Sequence, residues 1–314
     1  MPADPRWRRY LRHALAVLFI GAAFFFLGLT IAGNLEELRA FPWTVRPGML
    51  LVSLLALVGA FLWGIYVWQV ILRHFGAPAA YGPLARIWFV SNLGKYIPGK
   101  IWQLVGVAQM GTSSGLSPML AVTSLLLQMV FAVVGGCAVI ALFLPGDAPY
   151  GGTWLEILRW SLLPAALLLV HPRILSPALG IVRRITRQEL APWRGSWFDG
   201  VMLLLLSVIS WVIYGAAFHL FLAALVPVPI ELFGPLVAMN ALAFLVGYAV
   251  FITPAGLGAK EGALAALLAI YLPVPVAASV AIVARLWTVA GEVVPALILL
   301  PFRPPPCDDS SKRP

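Results

Sequence analysis

Long apolar segments recur along the chain and dominate its hydrophobic pattern. Seven of them approach the roughly 20 residues that an α-helix needs to cross about 30 Å of hydrocarbon. They cover about residues 13–33, 48–72, 117–144, 155–171, 200–226, 232–252 and 276–301. Two further apolar stretches, at 84–110 and 259–272, are interrupted or short. The pattern predicts an all-α, polytopic membrane helix bundle with about 7–8 transmembrane helices and one or two broken, re-entrant segments.

The composition excludes an ordinary soluble domain. Of 314 residues, 61% are hydrophobic and only 11% are charged, whereas a soluble domain carries about 25% charged residues. So few charges cannot cover a water-exposed surface, and lipid is the natural solvent for the surplus apolar surface. We expect one membrane domain over residues 1–303 and a short disordered cytoplasmic tail over 304–314.

The net charge of +9 comes from basic residues in short loops between apolar segments. This placement is typical of cytoplasmic loops that face anionic lipid, so we expect no nucleic-acid partner. With the N-terminus inside, the inner segments carry Arg6, Arg8, Arg9, Arg12, Arg73, Arg86, Lys95, Lys100, Arg173, Arg183, Arg184, Arg187, Arg194, Arg303, Lys312 and Arg313. We expect a multi-pass protein of a bacterial inner membrane with both termini cytoplasmic.

The N-terminal region has the order of a signal peptide, in which basic residues precede an apolar run. The apolar run from Ala14 to Ala32 is longer than the roughly 7–15 residues of a signal-peptide core. We therefore interpret it as a retained first transmembrane helix.

Proline and glycine break two apolar segments, one in each half of the chain. The first break runs from Ser91 to Trp102 and contains Lys95, Tyr96, Pro98, Gly99 and Lys100. The second runs from Phe251 to Gly262 and contains Pro254, Gly256, Gly258, Lys260 and Glu261. Proline removes a backbone donor and glycine disfavours helix, so the backbone is expected to unwind at both places.

Unwound backbone at membrane depth is tolerated only where protein buries it or where it lines a wet cavity. A helix that restarts after each break would point its N–H groups into that cavity, and a nearby lysine would complete an anion site. Paired interrupted segments often mark the substrate site of a transporter. The alternative is that both breaks are interfacial loops whose lysines meet lipid phosphates.

The stretches Lys95-Tyr96-Ile97-Pro98-Gly99-Lys100-Ile101-Trp102 and Pro254-Ala255-Gly256-Leu257-Gly258-Ala259-Lys260-Glu261-Gly262 resemble the two signatures of the lysylphosphatidylglycerol synthase transmembrane-region family. The resemblance covers most of the chain. One position departs from the family, because Lys260 stands where arginine is common; the charge is kept but the bidentate guanidinium is lost.

The resemblance implies translocation of a lipid between leaflets, the candidates being an aminoacylated phosphatidylglycerol or a polyprenyl or glycosyl lipid. Family members with synthase activity carry a large C-terminal soluble domain, and this chain ends 13 residues after its last predicted span. We therefore expect a flippase-like protein and no enzyme. The expected partners are membrane lipids; a second copy of the chain and a separate lipid-modifying enzyme stay open.

Three charged residues, Glu261, Arg285 and Glu292, lie within or beside apolar helices. An ion at mid-bilayer costs about 2.5–3.5 kcal/mol on insertion scales, so such groups usually face the bundle interior and pair. Arg285 and Glu292 share one helix face but are about 10 Å apart along it. We expect each to pair with another element, with Glu261 and Arg285 as one candidate pair; the alternative for Glu261 is a role in the first turn of its own helix.

The predicted substrate-binding residues are Lys95, Tyr96, Pro98, Gly99, Lys100, Pro254, Gly256, Gly258, Lys260, Glu261, Arg285 and Glu292. Of these, Lys100, Lys260 and Arg285 are expected to hold an anionic headgroup. No metal or cofactor site is expected, and His219 and Cys137 are interpreted as packing or hydrogen-bonding residues.

Two other functions stay open at this stage. One is a membrane-embedded transferase on a lipid-linked substrate, for which the cytoplasmic acidic candidates are Glu189 and Asp199. The other is a non-transporting partner of a lipid-modifying enzyme.

Overall fold

The protein is all-α in the computed structural model, which describes residues 31–96, 101–144, 152–186, 192–250 and 256–302 together with Phe25 and Leu29. Within these ranges there is no β-strand, and most residues are helical. This confirms the predicted fold class of an all-α helix bundle.

We label the helices in chain order. They are α1 (Leu35–Ala40), α2 (Pro47–His74), α3 (Tyr81–Asn92), α4 (Trp102–Thr112), α5 (Pro118–Phe143), α6 (Thr153–Leu169), α7 (Pro172–Thr186), α8 (Trp197–Ala223), α9 (Phe233–Ala249), α10 (Ala259–Leu268) and α11 (Val274–Leu299). A 3₁₀ turn, Leu93–Tyr96, follows α3, and a second, Ile230–Leu232, precedes α9.

Among the described residues, five helices are long and apolar enough to cross a membrane: α2, α5, α8, α11, and α9 with its preceding turn. They match the predicted spans at 48–72, 117–144, 200–226, 232–252 and 276–301. A sixth candidate is the bent pair of α6 and α7, with 68° between them. The predicted span at 155–171 is thus α6 alone, and neither α7 nor the short α1 was predicted. The predicted first span, apart from Phe25, Leu29 and 31–33, and the predicted tail lie outside the described residues.

The distribution of side chains fits a bundle whose solvent is lipid. Serines such as Ser53, Ser124 and Ser207 are buried, whereas large apolar residues such as Leu158 and Leu286 are exposed. In water, the reverse arrangement would be favoured. In hydrocarbon, buried polar and exposed apolar side chains are favoured, because polar groups must find partners inside the protein. The chain is therefore a multi-pass membrane protein.

The first broken segment forms a helical hairpin. A Cβ atom at Gly94 would lie 2.7 Å from the backbone nitrogen of Gln103, and one at Gly106 would lie 3.0 Å from the Cβ atom of Ser91. The chain therefore folds back so that α4 packs antiparallel on α3. Their 12 and 11 residues span only about 18 and 17 Å at 1.5 Å per residue, too little to cross about 30 Å of hydrocarbon. This is the geometry expected of a re-entrant hairpin.

The second broken segment forms a similar hairpin from α9 and α10. A Cβ atom at Gly247 would lie 2.9 Å from that of Lys260, and Gly256 packs so closely that its Cβ atom would lie 2.7 Å from the carbonyl oxygen of Gly247. Gly256 and Gly258 have φ angles of 67° and 85°, a left-handed region that strains any residue with a side chain. The chain can turn sharply into α10 because both positions are glycine.

The last helix, α11, joins the two hairpins. It packs against α10 on one side and against α3 and the turn Leu93–Tyr96 on another. An aromatic cluster anchors it to α8, since the rings of Phe221 and Trp287 stack with centroids 4.9 Å apart. The indole N–H of Trp287 also donates to Ser53 Oγ of α2 at 3.1 Å. The two breaks are thereby held against one helix.

Candidate functional site

Glu292 of α11 holds the end of the first hairpin. Its carboxylate accepts from Lys95 Nζ at 2.5 Å and from the hydroxyl of Tyr96 at 2.6 Å. Glu292 is only 2% exposed, so both contacts are made in a low-dielectric interior where charge-assisted hydrogen bonds are strong. The 3₁₀ turn that follows α3 is what brings two consecutive side chains onto one carboxylate.

Arg285, two turns earlier on α11, pairs with the second hairpin. One guanidinium nitrogen, Nη1, lies 3.4 Å from Glu261 Oε1. The other carboxylate oxygen of Glu261 accepts from the backbone N–H of Gly258 at 2.7 Å. The expected pairing of Glu261 with Arg285 is therefore present, and Glu292 likewise pairs with another element.

Glu261 also corrects one part of the sequence interpretation. The N-terminus of α10 was expected to present free N–H groups to an anionic ligand. Instead Glu261, at the third position of α10, reaches back to the N–H of Gly258 and caps its own helix. The carboxylate of Glu261 thus takes one N–H donor at this end of α10 and offsets part of the helix dipole there, so the neighbouring side-chain cations become more important for a bound anion.

The ring of Tyr96 connects the two ion pairs. The guanidinium carbon of Arg285 lies 5.3 Å from its centroid, within the range of a cation–π contact. Tyr96 therefore hydrogen-bonds to Glu292 through its hydroxyl while its ring contacts Arg285. We call Lys95, Tyr96, Lys260, Glu261, Arg285 and Glu292 the junction cluster, because residues beside both breaks meet there on α11.

A small polar cavity lies beside the cluster, between α8, α9, α10 and α11. Its lining residues are Tyr214, Phe218, Asn240, Lys260, Glu261, Leu264, Ala281, Ala284, Arg285 and Thr288. Its volume is about 10 Å³, room for about one water molecule. The cavity is thus closed to a lipid headgroup in this conformation.

Two cations at the cavity, Lys260 and Arg285, have hydrogen-bond donors that the described residues do not satisfy well. Lys260 Nζ has one long hydrogen bond, 3.4 Å to the hydroxyl of Tyr214, and lies 5.7 Å from the centre of that ring. Within the described ranges, Arg285 Nη2 is buried and has no hydrogen-bond partner. Buried donors without partners are rare and call for an explanation such as water or a ligand.

The formal charge of the junction cluster is positive. Lys95, Lys260 and Arg285 contribute three positive charges, and Glu261 and Glu292 contribute two negative ones. A buried excess cation is unfavourable in a membrane unless an anion or water accompanies it. The arrangement can therefore stabilise one negative charge at the cavity beside Lys260 and Arg285.

The structure brings together six of the twelve predicted site residues in the junction cluster, and Gly256 and Gly258 form the turn that leads into it. The remaining four, Pro98, Gly99, Lys100 and Pro254, lie outside the described residues.

Three polar residues of the cavity were not predicted as part of the site. One of them, Thr288 of α11, donates to the carbonyl oxygen of Ala284 at 2.8 Å. Tyr214 lies in the middle of the apolar helix α8, and nothing in the local pattern distinguishes it from a packing residue. The side-chain amide of Asn240 donates to the carbonyl oxygen of Leu236 at 2.9 Å, and Asn240 also lines the cavity. The role of Tyr214 and Asn240 at the cavity depends on how α8 and α9 pack.

No metal centre is formed by the part of the chain that the structure describes, since no three His, Cys, Asp or Glu side chains there come close enough to hold an ion. His219 lies near Phe233, with ring centroids 6.1 Å apart. Cys137 is a half-buried free thiol in α5.

The chain is similar to a known protein family over most of its length. A family model described as the lysylphosphatidylglycerol synthase TM region matches residues 13–296. The match includes both hairpins and α11 as far as Ala296, and thus every member of the junction cluster. No curated protein matches the sequence significantly.

Proposed function

The chain belongs to the lysylphosphatidylglycerol synthase TM region family, and on that premise we propose that it is a flippase that moves an anionic or lipid-linked substrate between leaflets. Membership indicates a function connected with membrane lipids. The proposed substrates are an aminoacylated phosphatidylglycerol, whose headgroup contains a phosphodiester, or a polyprenyl or glycosyl lipid that is linked through phosphate. We further propose that the protein acts in a bacterial inner membrane with both termini in the cytoplasm.

The observation that supports this proposal most strongly is the pair of cations at a buried polar cavity where both hairpins meet α11. A phosphodiester that enters hydrocarbon without partners pays a prohibitive desolvation penalty. Lys260 and the unpartnered Nη2 of Arg285 would provide charge and donors to replace the lost water. Broken helices around a buried site are also the usual arrangement in transporters.

Transport would require the cavity to open, because it has room for about one water molecule. The 3.4 Å pair between Arg285 and Glu261 is the contact most directly in the way. A phosphate could replace the Glu261 carboxylate as the partner of Arg285, which would free α10 to move relative to α11. Movement of one hairpin against a fixed helix is a common form of alternating access.

The proposal is tested in reconstituted vesicles that contain fluorescent phosphatidylglycerol in both leaflets, where dithionite destroys only the outer-leaflet dye. We expect the protein to raise the destroyed fraction above the outer-leaflet share, and the recovered lipid to keep its mass. Fluorescent phosphatidylcholine, which carries no net charge, is the matched control lipid and is expected to move more slowly.

Two results would contradict the proposal. A destroyed fraction equal to that of protein-free vesicles, for phosphatidylglycerol and for a polyprenyl phosphate probe alike, would favour the non-transporting partner. A change in the mass of either probe would favour the membrane-embedded transferase.

A further inference from the structure

Helix α7 stands apart from the rest of the bundle. It follows α6 after only two residues, and the two helices are bent by 68°. The bend has a local cause: Pro172 cannot continue α6 but is well suited to the first turn of a helix. The ring nitrogen Nδ1 of His171 accepts from the N–H of Arg173 at 3.1 Å and so caps the new helix. If α6 crosses the membrane, α7 runs close to the membrane plane.

The apolar residues of α7 fall on one side of the helix. Ile174, Ala178 and Ile181 are spaced by four and three positions, which places them on one face. Ile174 and Ile181 are 44% and 56% exposed, so the described residues of the bundle do not cover their side chains. The helix is held to the bundle instead by Leu175 and Leu179, which pack into the core.

The other side of α7 is polar and basic. Arg173, Ser176 and Arg184 are exposed, and Arg173 and Arg184 are eleven positions apart, about three helical turns. The start of α7 also lies beside the start of α8, since the rings of His171 and Trp197 are 6.1 Å apart. The positive-inside rule assigns this side to the cytoplasm.

We infer that α7 is an interfacial helix that binds the anionic surface of the cytoplasmic leaflet. Ile174, Ala178 and Ile181 enter the boundary between headgroups and acyl chains, and the arginines contact lipid phosphates. Strong amphipathicity with basic residues on the polar face is typical of helices that lie in the interface. The inference does not depend on the proposed transport.

Two observations favour lipid over a protein partner as the occupant of this face. The exposed apolar residues of α7 begin five residues after the end of α6, where Leu167, Leu168 and Leu169 are all exposed. Because α6 matches the predicted span at 155–171, these leucines are expected to face lipid close to the start of α7. The arginines also complement the negative potential of a leaflet that contains anionic lipid.

The test is a spin-label accessibility measurement on the full chain in vesicles of phosphatidylcholine with a minority of phosphatidylglycerol. Cys137 and Cys307 are replaced by alanine, and one nitroxide is attached at Ala178→Cys or, as a second variant, at Ile181→Cys. Ser176→Cys is the matched control, because Ser176 and Ala178 are both exposed and differ in the face they occupy. Oxygen reports lipid exposure and a nickel chelate reports water exposure.

We expect labels at Ala178→Cys and Ile181→Cys to be reached by oxygen and shielded from nickel, with the reverse at Ser176→Cys. Arg173→Gln and Arg184→Gln should each lower the ratio of membrane-inserted to free α7 by about fivefold. This factor corresponds to about 1 kcal/mol per basic residue near an anionic surface. Arg39→Gln, an exposed arginine of α1, should leave the ratio unchanged.

Three results would overturn the inference. Equal access of nickel to the labels at Ala178→Cys and Ser176→Cys would mean that the apolar face lies in water. Shielding of the label at Ala178→Cys from both reagents would mean that protein covers it. Oxygen access that is the same in pure phosphatidylcholine would mean that anionic lipid does not hold the helix.

Discussion

Glu292 offers the sharpest test of the structure of the junction cluster, because one carboxylate holds both Lys95 and Tyr96. Glu292→Gln removes the charge but keeps an acceptor for Tyr96, while Lys95 loses its counter-ion. Removing one partner of a fully buried ion pair destabilises a protein by about 3–5 kcal/mol. The Lys95 side chain is 26% exposed and that of Glu292 only 3%, so water can partly compensate Lys95. We therefore expect Glu292→Gln to lower the free energy of unfolding by about 3 kcal/mol or less.

Lys95→Met is the complementary variant, because it leaves Glu292 charged and without this cation while Tyr96 still donates to it. The double variant buries neither charge unpaired and should be more stable than the sum of the single effects predicts, with a coupling energy of about 0.5–3 kcal/mol. The assay is thermal unfolding in detergent, followed by the loss of the monodisperse peak in size exclusion. Additive effects, or single variants that melt at the wild-type temperature, would refute the ion pair.

Two further predictions concern topology and hairpin packing. Reporter fusions after Pro145 and after Arg194 should report opposite sides of the membrane, since the Lys/Arg bias places only the second inside; the same side for both would contradict the assigned orientation. Gly247→Ala should lower stability by about 1–3 kcal/mol relative to Gly262→Ala, because a Cβ atom at Gly247 meets Lys260 at 2.9 Å and one at Gly262 meets nothing within 4 Å. Both variants gain similar helix propensity, so equal melting temperatures would mean that α9 and α10 are not in close contact.

The apolar pattern predicted most of the bundle because crossing a membrane imposes a length and a composition on each helix. It predicted α2, α5, α8, α9 and α11 well. Helix α7 was missed because its arginines made a 15-residue amphipathic helix look like a basic loop. Its amphipathic spacing, with Ile174, Ala178 and Ile181 on one face, was the signal that could have revealed it.

The site was predictable where burial of a charge demands a partner. That argument predicted the pairing of Arg285 with Glu261, since neither can be left alone in hydrocarbon. It could not predict that Tyr96 would bind Glu292, or that Tyr214 would reach Lys260, because these contacts depend on how helices distant in sequence pack. At the N-terminus of α10 the alternative for Glu261 also holds, because its side chain accepts from the N–H of Gly258 and competes with an external anion for that group.

The central claim is that Lys260 and Arg285 hold the headgroup of an anionic lipid during transport, and charge-neutral variants test it most directly. Lys260→Gln and Arg285→Gln are compared with Arg39→Gln, which neutralises an exposed arginine, in the phosphatidylglycerol assay after size exclusion has confirmed folding. Loss of one charge-assisted contact should weaken binding by about 1.5–3 kcal/mol, or roughly 10- to 150-fold, so we expect both variants to need far more lipid to reach half-maximal transport. Folded variants that transport like Arg39→Gln at every lipid concentration would contradict the claim and make these charges purely structural.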